Sequence, residues 1–143
     1  MYDPNNIFGK ILRDEIPSTR VYEDADTLAF MDIMPRAQGH VLVIPKTACR
    51  NMLDATAVQI AAVMKTVQLM SRALMVAFDA EGITLQQFNE TAGGQEVFHL
   101  HFHVLARHEG ESLGAPGKMG DQTVIQQNAE RIRAAILDLH NGE

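Results

Sequence analysis

Apolar residues and histidines alternate strictly from Phe98 to Val104, within the run Val-Phe-His-Leu-His-Phe-His-Val-Leu-Ala of residues 97–106. With the two-residue period of an extended strand, Phe98, Leu100, Phe102, Val104 and Ala106 share one face, and Val97, His99, His101, His103 and Leu105 share the other. The first face is what a strand buries against a core. The second carries three imidazoles whose origins lie ~6.6 Å apart. Residues 20–23, 27–33 and 40–44 are further strand-like runs, separated by turns containing Asp, Pro and Gly, and they predict an antiparallel meander. Another apolar run, Ile83, Leu85 and Phe88, joins the histidine strand through a short glycine-containing loop, the pattern of a hairpin.

Elsewhere the period lengthens to that of a helix. Residues 5–16 predict a short helix capped by Asn5 or Asn6, with Ile7, Ile11 and Leu12 inward and Pro17 closing it. Residues 54–79 place Ile60, Met64, Val67, Met70, Leu74 and Phe78 on one stripe, with Asp54 as N-cap and Gly82 as stop. This long helix is the expected cover for the apolar face of the histidine strand. Residues 122–139 form a second amphipathic pattern through Val124, Ile125, Ala129, Ile132, Ile136 and Leu139, after a loop of ~14 residues with four glycines. The expected architecture is α+β, one domain over residues 1–143, with about five mainly antiparallel strands and one long covering helix.

Composition narrows the function. A chain of 143 residues with 46% apolar content suits a single core, and a net charge of −6 with a pI near 5.4 argues against a nucleic-acid backbone as partner. The single cysteine, Cys49, fits a reducing compartment. The segment Met-Tyr-Asp-Pro has no leader pattern, and no run reads as a membrane span, so the expectation is a cytoplasmic protein without a membrane partner. The methionines of the long helix read as core filler rather than as a binding groove.

Candidate chemistry centres on the imidazole row. Burying three imidazoles together desolvates six ring nitrogens, which has no packing advantage. Two chemistries suit the row. It can ligate zinc through His99, His101 and either His40 or His103, leaving a position open for water. Alternatively, one neutral imidazole attacks phosphorus while its neighbours donate hydrogen bonds. Gly93 and Gly94, just upstream, can turn backbone N–H groups toward an oxyanion or simply make a tight turn. Asp32 reads as a turn cap or as a reader of hydroxyls, and His40 as a strand end or a support for another imidazole. His108 reads as solvent-exposed, and His140 as a partner of a helix C-terminus. Gly114-Ala115-Pro116-Gly117-Lys118 lacks the spacing and the Ser/Thr of a phosphate-binding P-loop.

The run His99-Leu100-His101-Phe102-His103-Val104-Leu105 resembles the His-φ-His-φ-His-φ-φ signature of the histidine triad (HIT) family, where φ is apolar. Segments 5–16, 28–35 and 39–46, and the hairpin from Asn89 to Gln95, are similar to the Hint branch in the same order, so the likeness spans about residues 5–107. The resemblance implies hydrolysis at the α-phosphate of a purine nucleoside phosphoramidate, with His101 as nucleophile. It implies that His103 and the backbone N–H groups of Gly94 and Gln95 stabilise the phosphoryl oxygens, and that His40 supports His99 to hold the array. Nucleotide contacts are implied for Phe30, Asp32 (at the ribose), Ile33, Asn89, Gly94 and Gln95. It further implies a homodimer with a continuous ten-stranded sheet and no required cofactor, zinc binding being possible without a catalytic role. A dinucleoside polyphosphate hydrolase of the Fhit-like kind and a non-catalytic nucleotide-binding module are the alternatives. The chain departs from the pattern in three places: Glu96 stands where many members have Ser or Thr, the hairpin is one residue shorter, and residues 108–143 diverge. Strand parity would turn Glu96 away from the histidines.

Overall fold

The computed structural model describes residues 1–142. Five strands, β1 (Arg20–Glu23), β2 (Thr27–Met31), β3 (Val41–Pro45), β4 (Gly82–Gln86) and β5 (Phe102–Arg107), form one sheet in the order β1-β2-β3-β5-β4, antiparallel at every pairing. The central strands β2 and β3 are buried at every position, which is why they read as unbroken apolar runs. Their parity separates two cores. Ala29, Met31, Val41, Val43 and Val104 face α2 (Ala57–Ala77) and α3 (Gln122–Asn141), meeting Val67, Met70 and Leu74 of the first and Ala129, Ile132 and Ile136 of the second. Leu28, Phe30, Leu42 and Ile44 face the other way, toward Phe8 and Ile11 of the short helix α1 (Ile7–Leu12). Two helices therefore cover the sheet where one was expected, because α3 packs beside α2 rather than standing apart.

Several boundaries move for local reasons. The Asn6 side chain caps α1 by accepting from the Gly9 N–H at 2.8 Å, and Phe8 is buried while Ile7 is 43% exposed, so the inner face is rotated from the expected one. Thr56, not Asp54, caps α2: its hydroxyl and the Gln59 amide make a reciprocal capping box. Asp54 instead accepts from the Arg50 and Asn51 N–H groups and ties the preceding loop. Helix α2 ends at Ala77 with Phe78 as C-cap, Asp79 takes a positive φ, and Gly82 opens β4 instead of stopping the helix. Contrary to the sequence expectation, α2, at 21 residues, is long and apolar enough to span a membrane; its Val63, Val67, Met70 and Leu74 are instead buried in this domain's core.

Gly39 fixes the turn that delivers His40. Its φ is +73°, and a Cβ there would lie 2.1 Å from Cε2 of the buried Phe78 ring. Gly39→Ala is therefore expected to lower the unfolding free energy by about 2 to 4 kcal/mol, the sum of left-handed strain and overpacking, measured as a shift in the urea midpoint.

Candidate functional site

The imidazoles are presented by a strand that stops short of them. β5 begins at Phe102, and residues 97–101 leave the ladder instead of forming the expected ten-residue strand. Pro45, at the end of β3, has no N–H with which to continue the pairing, and its carbonyl is taken by His99 Nε2 at 2.8 Å. The Leu100 N–H donates to the Cys49 carbonyl, so the chain folds away from β3. Freed from the sheet, the His99 carbonyl accepts from Nδ1 of His101 at 2.7 Å.

These contacts determine where each proton sits. A carbonyl can only accept, so His101 carries its hydrogen on Nδ1, and in the neutral ring Nε2 is an unprotonated lone pair. Nε2 of His99 likewise donates to Pro45, leaving Nδ1 to accept from the Tyr2 hydroxyl at 2.6 Å. The backbone N–H of Arg36 donates to Nδ1 of His40 at 3.1 Å, so His40 is protonated on Nε2 and donates to Nδ1 of His103 at 2.9 Å. His103 in turn keeps its hydrogen on Nε2. The row thus presents a lone pair on His101 beside an N–H on His103, with the two rings 5.1 Å apart. Phe8 packs edge-on against His101 at 4.9 Å and Phe88 against His103 at 6.0 Å.

Burial keeps all four rings neutral. Desolvation, aided by neighbouring His103 and Arg36, pushes His40 down to about 3; desolvation lowers His99 to about 4, and His103 also to about 4 with repulsion from His101 and Arg36. His101 is lowered by desolvation, opposed by its bond to the His99 carbonyl. Asp32 moves the other way, raised by burial against the N–H of Met34.

A cavity of about 380 Å³ opens on this face. Its wall includes His101, His103 and His40, with Phe30, Asp32, Ile33 and Gly94, so seven of the residues singled out from sequence come together. His99 does not reach it. Fully buried, with both ring nitrogens bonded, it acts on the cavity through its carbonyl. The expected His40–His99 pair is replaced by His40–His103, because His40 precedes β3 and the β3–β5 register sets Leu42 beside His103. Asn89 and Gln95 are also absent from the wall. Asn89 accepts from the Met52 N–H and pairs with Gln87, while Gln95 bonds Asn51, the Glu90 N–H and the carbonyls of Arg50 and Val97. Both fasten the hairpin to the 50–54 loop, which Arg50 and Glu90 clamp with paired bonds of 2.8 and 2.9 Å. The backbone N–H groups of Gly94 and Gln95, expected to face an oxyanion, donate to the Thr91 and Glu90 carbonyls.

Glu96 departs from its expectation in the opposite sense. Lying outside β5, it escapes strand parity and joins the cavity wall. His108 is half-buried, with Nε2 3.1 Å from the Phe78 carbonyl, rather than free in solvent, while His140 lies exposed in the last turn of α3 as expected.

Sequence reasoning missed Tyr2, Arg36 and Phe8. Tyr2 lies 97 positions from His99, and no periodicity links them. Arg36 holds the divergent loop: its Nε donates to the Gly114 carbonyl, and the Gly114 N–H returns a bond to the Arg36 carbonyl, which brings Pro116 and Gly117 to the cavity. Tyr2→Phe leaves a buried imidazole nitrogen without its donor and is expected to cost about 1 to 2 kcal/mol of stability in urea unfolding.

Asp32, His40 and His103 bring three ligand atoms within 4.8 Å of one another. They do not fit a metal as arranged. The Arg36 N–H occupies Nδ1 of His40, so Nε2 carries the proton, and a cation there would have to face an N–H or turn the ring into an imidazolate.

A family model described as HIT domain matches residues 13–110. A crystal structure of a Hit-like protein from Bartonella henselae superposes with a TM-score of 0.90 at 54% identity, covering 94% of this chain and 98% of that one. A zinc-bound histidine triad family protein from Mycobacterium smegmatis superposes with a TM-score of 0.87 at 31% identity, over 97% and 98% of the two chains. The purine nucleoside phosphoramidase of Escherichia coli is 37% identical over 109 residues, 76% of this chain and 89% of the relative.

Proposed function

The chain belongs to the histidine triad (HIT) family and is Hint-like within it, and on that premise we propose that it hydrolyses purine nucleoside phosphoramidates at the α-phosphate through a nucleotidyl intermediate on His101. Hydrolase activity on nucleotides is the family's property; the substrate and the steps are our reading. The observation that carries it is the unoccupied Nε2 lone pair of His101, aimed by an Nδ1–H bond to a backbone carbonyl.

Nε2 of His101 attacks phosphorus, and the bond from phosphorus to the amine breaks. The ring becomes a cation in the intermediate, and its Nδ1–H, held by the His99 carbonyl, is where that charge is stabilised. Nε2–H of His103 donates to the phosphoryl group, oriented by His40, which Arg36 orients in turn. Water then attacks phosphorus, the bond to Nε2 breaks, and a nucleoside monophosphate leaves. The amine needs a proton in the first step, and the water returns one in the second. Because the rings rest neutral, with His40, His99 and His103 near 3 or 4, we assign that first proton to solvent rather than to a resting imidazolium. Phe30, Ile33 and Asp32 are assigned to the nucleoside, and His99 to positioning only. The protonation of His40 supports a mechanism without zinc. We also propose the homodimer: β4 lies at the sheet edge with Leu85 48% exposed, an edge that a second copy would extend.

The test is mass spectrometry of protein quenched while it turns over an adenosine phosphoramidate. One adenylyl group on the wild type, and none on His101→Ala, is expected.

A further inference from the structure

The cavity wall holds two carboxylates, Asp32 and Glu96. Against them stands Arg36, the one permanently cationic side chain in that wall among the described residues, and its Nε is already bonded to the Gly114 carbonyl. Glu96 is exposed and makes no ion pair among the described residues, so its charge is uncompensated where the hairpin meets the cavity. The neighbouring carboxylate on the same hairpin, Glu90, is neutralised by Arg50. The neutral imidazoles add no positive charge. A chain of phosphates would bring several negative charges into a site with one guanidinium, and an acidic leaving group would approach a bare carboxylate.

We propose that Glu96 is a charge selector: the site takes substrates with a single phosphate and a cationic leaving amine, and discriminates against acidic leaving groups and polyphosphates. This rests on the hydrolase reading and names its substrate class. Opposite charges across a partly solvated cavity attract and like charges repel, so a leaving group changed from cationic to anionic at the same length should lose about tenfold in affinity at low salt, less at high salt.

The probes are adenosine 5′-phosphoramidates of 1,3-diaminopropane, propylamine and β-alanine, bound to His101→Ala so that nothing turns over. Calorimetry at low ionic strength should order them cationic, neutral, anionic, with a ratio of about ten between the extremes. In His101→Ala carrying Glu96→Gln, the ratio should fall below about threefold. Equal affinities in the Glu96-bearing protein overturn the proposal, and so does an ordering that survives Glu96→Gln, since another group would then set it. Hydrolysis of the same three compounds is assayed separately on the wild type. Ordered binding without hydrolysis would sink the phosphoramidase reading and leave the selector intact, whereas hydrolysis with unordered binding would do the reverse.

Discussion

His101→Ala is expected to lower the turnover of an adenosine phosphoramidate by ~10⁴-fold or more, because the variant has no atom that can bond to phosphorus and retains only binding and hydrogen-bond stabilisation. His103→Ala should cost less, ~10²-fold, as the loss of one donor to the phosphoryl group. Comparing the two separates a nucleophile from a stabiliser. Both alanines leave the sheet pairing intact, and circular dichroism with a urea midpoint establishes that each variant is folded before kinetics are read. A His101→Ala enzyme within tenfold of wild type would remove the covalent step from the mechanism. The neutral form of His101 is the reactive one, and its burial shifts its titration below the ordinary 6.5, so loss of kcat/KM through protonation of the nucleophile should set in only in solution more acidic than that.

The second large effect is on stability in acid. In the unfolded chain His40, His99 and His103 titrate near 6.5, whereas in the fold they are held at about 3, 4 and 4. The unfolded state therefore binds protons that the folded state refuses. Stability is at its full value above pH 6.5 and is lost as pH falls toward 4, at up to about 1.4 kcal/mol per pH unit for each imidazole. Three such rings can remove several kcal/mol by pH 5, a large share of the stability of a domain this size. The depressed carboxylates act in a lower window: Glu90, lowered by its bonds to Arg50 and Asn51 from 4.5 to about 2, has its effect below pH 4.5. The decline between pH 6.5 and 5 accordingly belongs to the imidazoles, opposed by Asp32, whose raised carboxyl takes up its proton in the fold before it does in the unfolded chain. Urea midpoints at pH 7.5, 6.5, 5.5 and 5 should change least over the first step and fall steeply below pH 6.5, and a flat series would mean that the rings titrate normally inside the fold.

Both effects originate in contacts that no local pattern announces. Periodicity identified the strands of the meander, the two long helices and the face of His103, because burial on one side of an element imposes its repeat on neighbouring residues. It failed at residues 97–101. There the repeat continues, yet Pro45 cannot extend the ladder, and the chain uses its side chains and carbonyls to replace the lost pairings. The same failure of parity brings Glu96 into the cavity. Asn89 and Gln95 were recognisable as special residues, but not as anchors of a loop forty positions earlier, since their partners at residues 50–52 carry no matching pattern.

What the amino-acid sequence alone determined is the α+β class and the histidine-rich edge of a core strand, both consequences of short-range repetition, and, through the resemblance of its motifs, kinship to a family of nucleotide hydrolases. The tertiary structure alone decided which ring nitrogen is free. That choice depends on the carbonyls of His99 and Pro45, the Arg36 N–H and the Tyr2 hydroxyl, brought to the rings by turns or from far along the chain, and a proton's position on an imidazole follows from what each nitrogen faces.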